Sequence, residues 1–308
     1  MNTLFDGPLA TPPTPFTPSE DVAPEFIPDY VRWAVSQGVK GFFVLGTWGG
    51  ASLLTFPERK ETATAFIEAS QAHGVPCIVN VGCPCIHEAE LLAKHASQVG
   101  ATAVAATVPY YHSGAGYYSI DHYREYFSRI CQASQVPVFV YNNPQTTGVL
   151  LKPADLVLLV KDGVQGIKDG SKDVGWLMAC QALLTDEGLE AEIIPGNSTA
   201  MLYAHIYELK AVTSGASVTF PKLSADIFNA LNDGQLAHAA QLHALLLRTR
   251  RTILNYGNAA MATYALLHIM DIPPLGVPRP PWKTLKRGHA RELLADLRSI
   301  KGLEHYAP

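Results

Sequence analysis

The chain has 308 residues, of which 48% are hydrophobic and 16% charged, with a formal net charge of -4 at pH 7. That length and apolar content allow one large core or two modest domains. A mildly acidic chain without a long basic run is a poor partner for nucleic acid or an anionic membrane, and no apolar stretch is long enough to span a bilayer.

In chain order, residues 9–15 (LATPPTP) read as a short strand stopped by prolines. Residues 26–37 have helical periodicity, with Tyr30, Val31 and Ala34 on one face. Residues 41–45 (GFFVL) are a buried strand running into Gly46-Thr47-Trp48-Gly49-Gly50, where three glycines in five residues permit tight backbone and close ligand approach. Thr55 caps the next helix, with Pro57 in the first turn and Glu58 at the third position, and Gly74 ends it. The strand-then-helix unit then recurs. Strands fall at 76–81, 101–107, 136–141, 164–168, 191–194 and 211–213, with helices at 88–99, 120–132, 152–159, 174–184 and 199–207 between them.

Continuous rather than alternating apolar strands are covered on both faces, and eight of them predict a closed (β/α)8 TIM barrel, an α/β fold, over residues 1–220. A doubly wound sheet is the rival architecture, but the dinucleotide fingerprint, the phosphate loop and the nucleophile elbow are all missing. After Phe220 the strands stop. Helices at 225–232, 235–255, 258–270 and 290–301, with a proline-rich crossing at 273–281, form a C-terminal helical extension over residues 221–308, expected to pack on the barrel or on a partner chain. The basic cluster Arg248-Thr249-Arg250-Arg251 on the second of these helices is expected to be a solvated or salt-bridged face.

Cys77, Cys83, Cys85, Cys131 and Cys180 are odd in number and irregularly spaced, which favours free thiols in a reducing compartment over a disulfide framework. Cys83-Pro84-Cys85 lacks the two-residue gap of a redox pair. The N-terminus has no basic region followed by an apolar core, so a secretory leader is not expected and a cytoplasmic location is.

Two strands end on groups that can do chemistry, Tyr141 and Lys168. Consecutive parallel strands would set them side by side at the carboxyl edge of the sheet, where ligands bind. Period-two alternation turns Lys168 inward with Gly166, and Tyr141 inward with Phe139 below it. Gly166 is expected to leave space beneath the lysine stem, in an apolar cavity that favours a neutral, nucleophilic amine. Such an amine attacks a ketone, and the protonated imine is an electron sink for cleaving or forming a neighbouring bond. Tyr141 would carry protons, and Thr47 with Tyr110 and Tyr111 would complete a Thr–Tyr–Tyr relay. The backbone N–H groups of the glycine-rich loop are available for a substrate carboxylate. No His/Asp/Glu set recurs at several strand ends, so no metal is expected, and no cofactor.

The segments YNNPQTTG at 141–148, GIKDG at 166–170, PYY at 109–111 and GTWGG at 46–50 together resemble the motifs of the dihydrodipicolinate synthase / N-acetylneuraminate lyase family of class I aldolases. The resemblance covers nearly the whole chain. It implies an imine between Lys168 and pyruvate or another 2-oxo acid, Tyr141 as general acid/base, Thr47 as relay, and Tyr111 contributed across a tight subunit pair in a homotetramer, a dimer of dimers. Substrate contacts are expected at Gly46, Trp48, Gly49, Tyr110, Thr146, Gly196, Asn197, Ser198, Ser214 and Gly215.

The departures bear on specificity. The family's glycine loop usually reads GTTGE or GSTGE; here Trp48 replaces a hydroxyl residue and Gly50 an acidic one. Dihydrodipicolinate synthases carry an arginine before the Thr-Gly of the tyrosine segment, and that position here is Thr146. A guanidinium that would grip a second carboxylate is missing there, which argues against the lysine-biosynthesis reaction. Trp48, His112, Tyr117 and Tyr118 are expected to form an aromatic wall. The reading is a class I Schiff-base lyase joining or splitting a 2-oxo acid and an aldehyde. A 2-keto-3-deoxy sugar-acid dehydratase or related deaminase using the same imine stays open, as does a catalytically inactive barrel for ligand binding or assembly.

Overall fold

A computed structural model describes residues 3–113 and 115–306. Eight parallel strands follow one another: β1 (Gly7–Ala10), β2 (Gly41–Val44), β3 (Cys77–Asn80), β4 (Ala103–Ala106), β5 (Val138–Asn142), β6 (Gly166–Asp169), β7 (Glu192–Pro195) and β8 (Ala211–Ser214). From β1 to β7 each pairs with the next in sequence, and β8 returns to β1, giving the order β7-β6-β5-β4-β3-β2-β1-β8. β7 and β8 adjoin without a ladder; Thr213 Oγ1 donates to the Pro195 carbonyl at 3.4 Å, and the Ser198 and Ser214 hydroxyls share a hydrogen bond of 2.9 Å across that seam. The cylinder so closed is a TIM barrel.

Strand alternation divides the apolar residues into two layers. Leu9, Phe43, Ile78, Ala103, Ala105, Phe139, Tyr141, Ile194 and Ala211 fill the barrel interior, and Phe5 plugs its amino end. Their neighbours, among them Ala10, Val44, Val79, Val104, Val140, Ile167 and Val212, pack outward on the helices. Small interior side chains offset large ones, as a tapering barrel requires. A ring stack runs up one side, with Phe5 and Phe139 centroids 5.8 Å apart and Phe43 and Tyr141 5.1 Å apart, both edge-on.

The barrel helices are α1 (Ile27–Ser36), α2 (Phe56–Ala72), α3 (Ile86–Val99), α4 (Tyr110–Ser113), α5 (Ile120–Ala133), α6 (Pro144–Thr147), α7 (Pro153–Lys161), α8 (Val174–Asp186), α9 (Met201–Ile206) and α10 (Ala216–Thr219). The capping box read at Thr55 forms, with the Glu58 carboxylate accepting from the Thr55 N–H at 2.8 Å. Helices α4, α6 and α10 have four residues each, too short to show periodicity, and they place site loops directly after strands β4, β5 and β8.

The extension comprises α11 (Pro221–Asn232), α12 (Leu236–Leu254), α13 (Ala259–Ile269) and α14 (Arg287–Arg298). Helix α11 starts four residues before its expected position because proline is well suited to a first turn, where no N–H donor is needed. The extension shares a continuous apolar cluster with the barrel helices, through Leu245, Leu246, Ile253, Leu266 and Leu293. It also reaches the carboxyl end of the barrel. The buried His243 of α12 donates from Nε2 to the Ser198 carbonyl after β7 at 2.8 Å, and burial lowers its pKa. Tyr264 of α13 donates to the Thr14 carbonyl after β1 at 2.6 Å.

Candidate active site

Register places Tyr141 of β5 directly opposite Lys168 of β6. Both side chains point into the barrel and both are buried, Lys168 being only 4% exposed. The lysine amine lies 3.9 Å from the Tyr141 ring centroid and 5.0 Å from that of Phe43, so its stem and head are walled by aromatic faces. Its space has a different source from the one expected. The gap at Gly166 is filled by the Phe139 ring, its register partner on β5, so this glycine makes room for the ring stack. The lysine's clearance comes from Gly196 after β7, where a Cβ would stand 2.7 Å from Nζ.

Two polar groups meet at the phenol. The Thr47 and Tyr141 hydroxyls are 3.1 Å apart, and Asn143 Nδ2 donates to both, at 2.8 Å to Thr47 and 3.0 Å to Tyr141. When the Thr47 hydroxyl donates to Tyr141, the phenol proton is free to point at a ligand beside Lys168. Thr47 is held there by the turn after β2. Leu45 adopts a left-handed conformation (φ 57), uncommon for a leucine, and its carbonyl is pinned by Asn80 Nδ2 at 2.8 Å. Past that turn, the Thr47 and Trp48 N–H groups have no acceptor within the chain among the described residues and are free for a carboxylate.

These groups line a cavity of about 170 Å³ at the carboxyl end of the barrel. Of the expected residues, Gly46, Thr47, Trp48, Tyr141, Thr146, Lys168, Gly196, Asn197, Ser198 and Gly215 line it. Gly215 does so by admitting the Trp48 indole, which lies against its Cα where any Cβ would collide. Gly49, Ser214 and Tyr110 stand behind the wall. Gly49 packs under the Leu45 backbone and accepts from the Thr14 hydroxyl at 2.6 Å; Ser214 bonds Ser198; Tyr110 turns toward Arg59 and Cys83, where burial raises its pKa.

The aromatic wall does not form as expected. Trp48 lines the cavity, whereas His112 contacts Tyr111, Tyr117 and Tyr118 in a separate cluster after β4. Tyr111 is 75% exposed and takes no part in the hydroxyl cluster of its own chain, where Asn143 occupies the third place. Gly50 is left-handed (φ 61), a conformation suited to glycine, with the Trp282 ring edge 3.4 Å from where a Cβ would lie.

Sequence reasoning missed Asn143, Gln145, Lys172, Thr249, Arg250 and Thr263 as lining residues. Asn143 had a signal, being two residues past Tyr141 on the same side of an extended segment. Arg250 corrects the expectation of a solvated or salt-bridged face: α12 folds over the seam after β7 and turns this arginine into the cavity. Among the described residues, no group of three or more His, Cys, Asp or Glu side chains is placed to hold a metal ion, the cysteines are unbridged, and no helix is long and apolar enough to cross a membrane.

Fold and site together define a TIM barrel with a lysine-centred pocket at its carboxyl edge, the position where barrel enzymes carry their chemistry. Residues 4–300 match the model of the dihydrodipicolinate synthetase family, and the chain belongs to that family. It is 30% identical over 289 residues to an uncharacterized DapA-like lyase of Halobacterium salinarum, covering 93% of this chain and 91% of the relative. It is also 30% identical over 259 residues to the 2-dehydro-3-deoxy-D-gluconate/2-dehydro-3-deoxy-phosphogluconate aldolase of Thermoproteus tenax, covering 84% of this chain and 80% of that one. Among solved structures, YagE of Escherichia coli K12 in complex with pyruvate superposes with a TM-score of 0.87 at 25% identity, over 97% of this chain and 99% of that one. The protein is an enzyme of the lyase class, of the aldolase type.

Proposed function

We propose that the protein is a Schiff-base aldolase that joins or splits pyruvate, or another 2-oxo acid, and an aldehyde through an imine on Lys168. The observation that carries this reading is the buried amine set against Tyr141, whose hydroxyl is held by Thr47 and Asn143. The T. tenax relative's name, a sugar-acid aldolase, and the pyruvate bound to the YagE neighbour support the same chemistry.

In the cleavage direction, the Lys168 amine adds to the C2 carbonyl, and the carbinolamine takes a proton from Tyr141 and loses water to give an iminium. Tyr141, now the base, removes the proton of the C4 hydroxyl. The C3–C4 bond breaks, its electron pair moves into the iminium to form an enamine, and the aldehyde leaves. Protonation of the enamine at C3 and hydrolysis by water release pyruvate and free Lys168. Through these steps Thr47 and Asn143 hold the phenol, and the Thr47 and Trp48 N–H groups hold the substrate carboxylate.

Tyr111 and Tyr117, both largely exposed, are the surface we assign to a second copy in a homotetramer. The unbridged cysteines favour a cytoplasmic setting. The test is borohydride trapping with pyruvate, read by mass. The wild type should gain the reduced adduct on Lys168 and Lys168→Ala should gain none. Absence of the adduct on the folded wild type would overturn the imine mechanism.

A further inference from the structure

The cavity has three basic side chains in its wall, Lys168, Lys172 and Arg250, and none of its lining residues is an aspartate or glutamate. The remaining polar lining is neutral, supplied by Thr146, Gln145, Thr249 and Thr263 among others. Lys168 is assigned to the imine, so two cations are left without a task.

Lys172 is exposed and Arg250 half-buried, and both line the cavity. Lys172 sits in the loop after β6 in a left-handed conformation (φ 67), strained for a lysine. Its loop is tied down by the buried Asp169, whose carboxylate accepts from the Ser171 N–H at 3.1 Å and the Ser171 hydroxyl at 2.9 Å. Lys172 Nζ reaches only the neutral Gln145 Oε1, at 3.4 Å. Arg250 is half-buried on α12, one turn from Ile253 and beside Thr249, both of which also line the cavity. Among the described residues no carboxylate pairs with either side chain, although the other half-buried arginines, Arg124, Arg129 and Arg279, are paired with Asp162 at 2.7 Å, Glu90 at 2.6 Å and Glu58 at 2.6 Å. Two cations without a carboxylate partner on one cavity favour an anionic group there through charge-assisted hydrogen bonds, the half-buried Arg250 more strongly than the exposed Lys172. The carboxylate next to the ketone belongs near the Thr47 and Trp48 N–H groups, on the loop after β2. Lys172 and Arg250 come instead from the loop after β6 and from the helical extension.

We propose that Lys172 and Arg250 form a subsite for a second anionic group, a carboxylate or a phosphate, on the part of the substrate that leaves as the aldehyde. This deepens the aldolase reading and rests on it. Thr146 leaves the β5 loop without a guanidinium, and Arg250 brings one to the same cavity from the extension. Its planar fork can hold either anion through two parallel hydrogen bonds.

The experiment measures kcat/KM for condensation with pyruvate on two matched aldehyde pairs, succinic semialdehyde against butyraldehyde and glyceraldehyde 3-phosphate against glyceraldehyde. The wild type should prefer the charged member of at least one pair by about 10–100-fold, the range for charge-assisted hydrogen bonds. The pair that shows it identifies the anion. In Arg250→Gln and Lys172→Gln the charged-to-neutral ratio should fall about tenfold or more, through KM, while Arg250→Lys keeps part of it. A ratio near one in the wild type for both pairs, or a ratio unmoved by both substitutions, overturns the subsite. An equal loss on charged and neutral aldehydes also overturns it, since that is general steering of pyruvate. Two further readouts separate this from failure of the parent reading. If pyruvate gives no borohydride adduct, the aldolase reading fails. Titration calorimetry with inorganic phosphate and with succinate then still decides the subsite, by whether binding is lost in Arg250→Gln.

Discussion

Gly196→Ala should disable the lysine without replacing any reactive group. A Cβ at this position would stand 2.7 Å from Lys168 Nζ and 2.8 Å from its Cε, and nearer still to the Asp169 carbonyl. The backbone contact cannot relax by a rotamer change, so β7 and β6 must separate or the lysine head must move. Overpacking of this kind costs about 1–3 kcal/mol, which for a domain of this size lowers Tm by a few degrees. Displacing the amine by about an ångström from its place over Tyr141 reduces a positioned reaction by on the order of 100-fold. The assay is the rate of borohydride-trapped pyruvate adduct, read by mass, alongside thermal unfolding. The expected result is a modest drop in Tm with a 10- to 100-fold slower trapping rate. A variant that traps pyruvate at the wild-type rate with an unchanged Tm would refute the packing argument.

Tyr141→Phe should still trap pyruvate but lose about 100-fold or more in kcat, the range for a missing general acid/base; undiminished turnover would remove the phenol from the mechanism. Gly166→Ala drives a methyl into the Phe139 ring and should destabilise the fold by about 1–3 kcal/mol. Phe139→Leu in the same chain should recover part of that loss, and denaturant unfolding that finds the two changes strictly additive contradicts the contact. Glu58 is hydrogen-bonded to Arg279, which holds its carboxyl at a pKa of about 2, below the ordinary value of 4.5. A depressed carboxyl stabilises the fold above its unfolded pKa, and that contribution is lost as pH falls from about 4.5 toward about 2. The stability gap between wild type and Glu58→Gln should therefore be full at pH 7 and shrink across that acid window, measured by urea unfolding; a gap independent of pH excludes the linkage.

The barrel was legible because its signal is local. Each strand is a short apolar run closed by a glycine or proline, helices such as α2 and α5 open on their own capping boxes, and eight such units in series leave little choice of architecture. The inward pairing of Tyr141 and Lys168 was legible for the same reason, since strand alternation and the pairing of consecutive strands follow from the chain order. Tertiary structure decided everything that depends on which surfaces meet. Gly166 looked like space for the lysine, but cross-strand register gives that space to Phe139 and leaves the clearance to Gly196, nearly thirty residues away. Trp48 carried no sign that it would lie on Gly215, nor Asn143 that it would donate to two hydroxyls at once. Arg250 read as a surface charge on an amphipathic helix, because a helix's own periodicity tells which face is polar but not what that face will cover. Sequence by itself therefore determined the reactive pair at the end of the barrel. Only the packing of the extension over the β7–β8 seam decided what charge the rest of the pocket presents, because a side chain's field acts where folding puts it and not where the chain order leaves it.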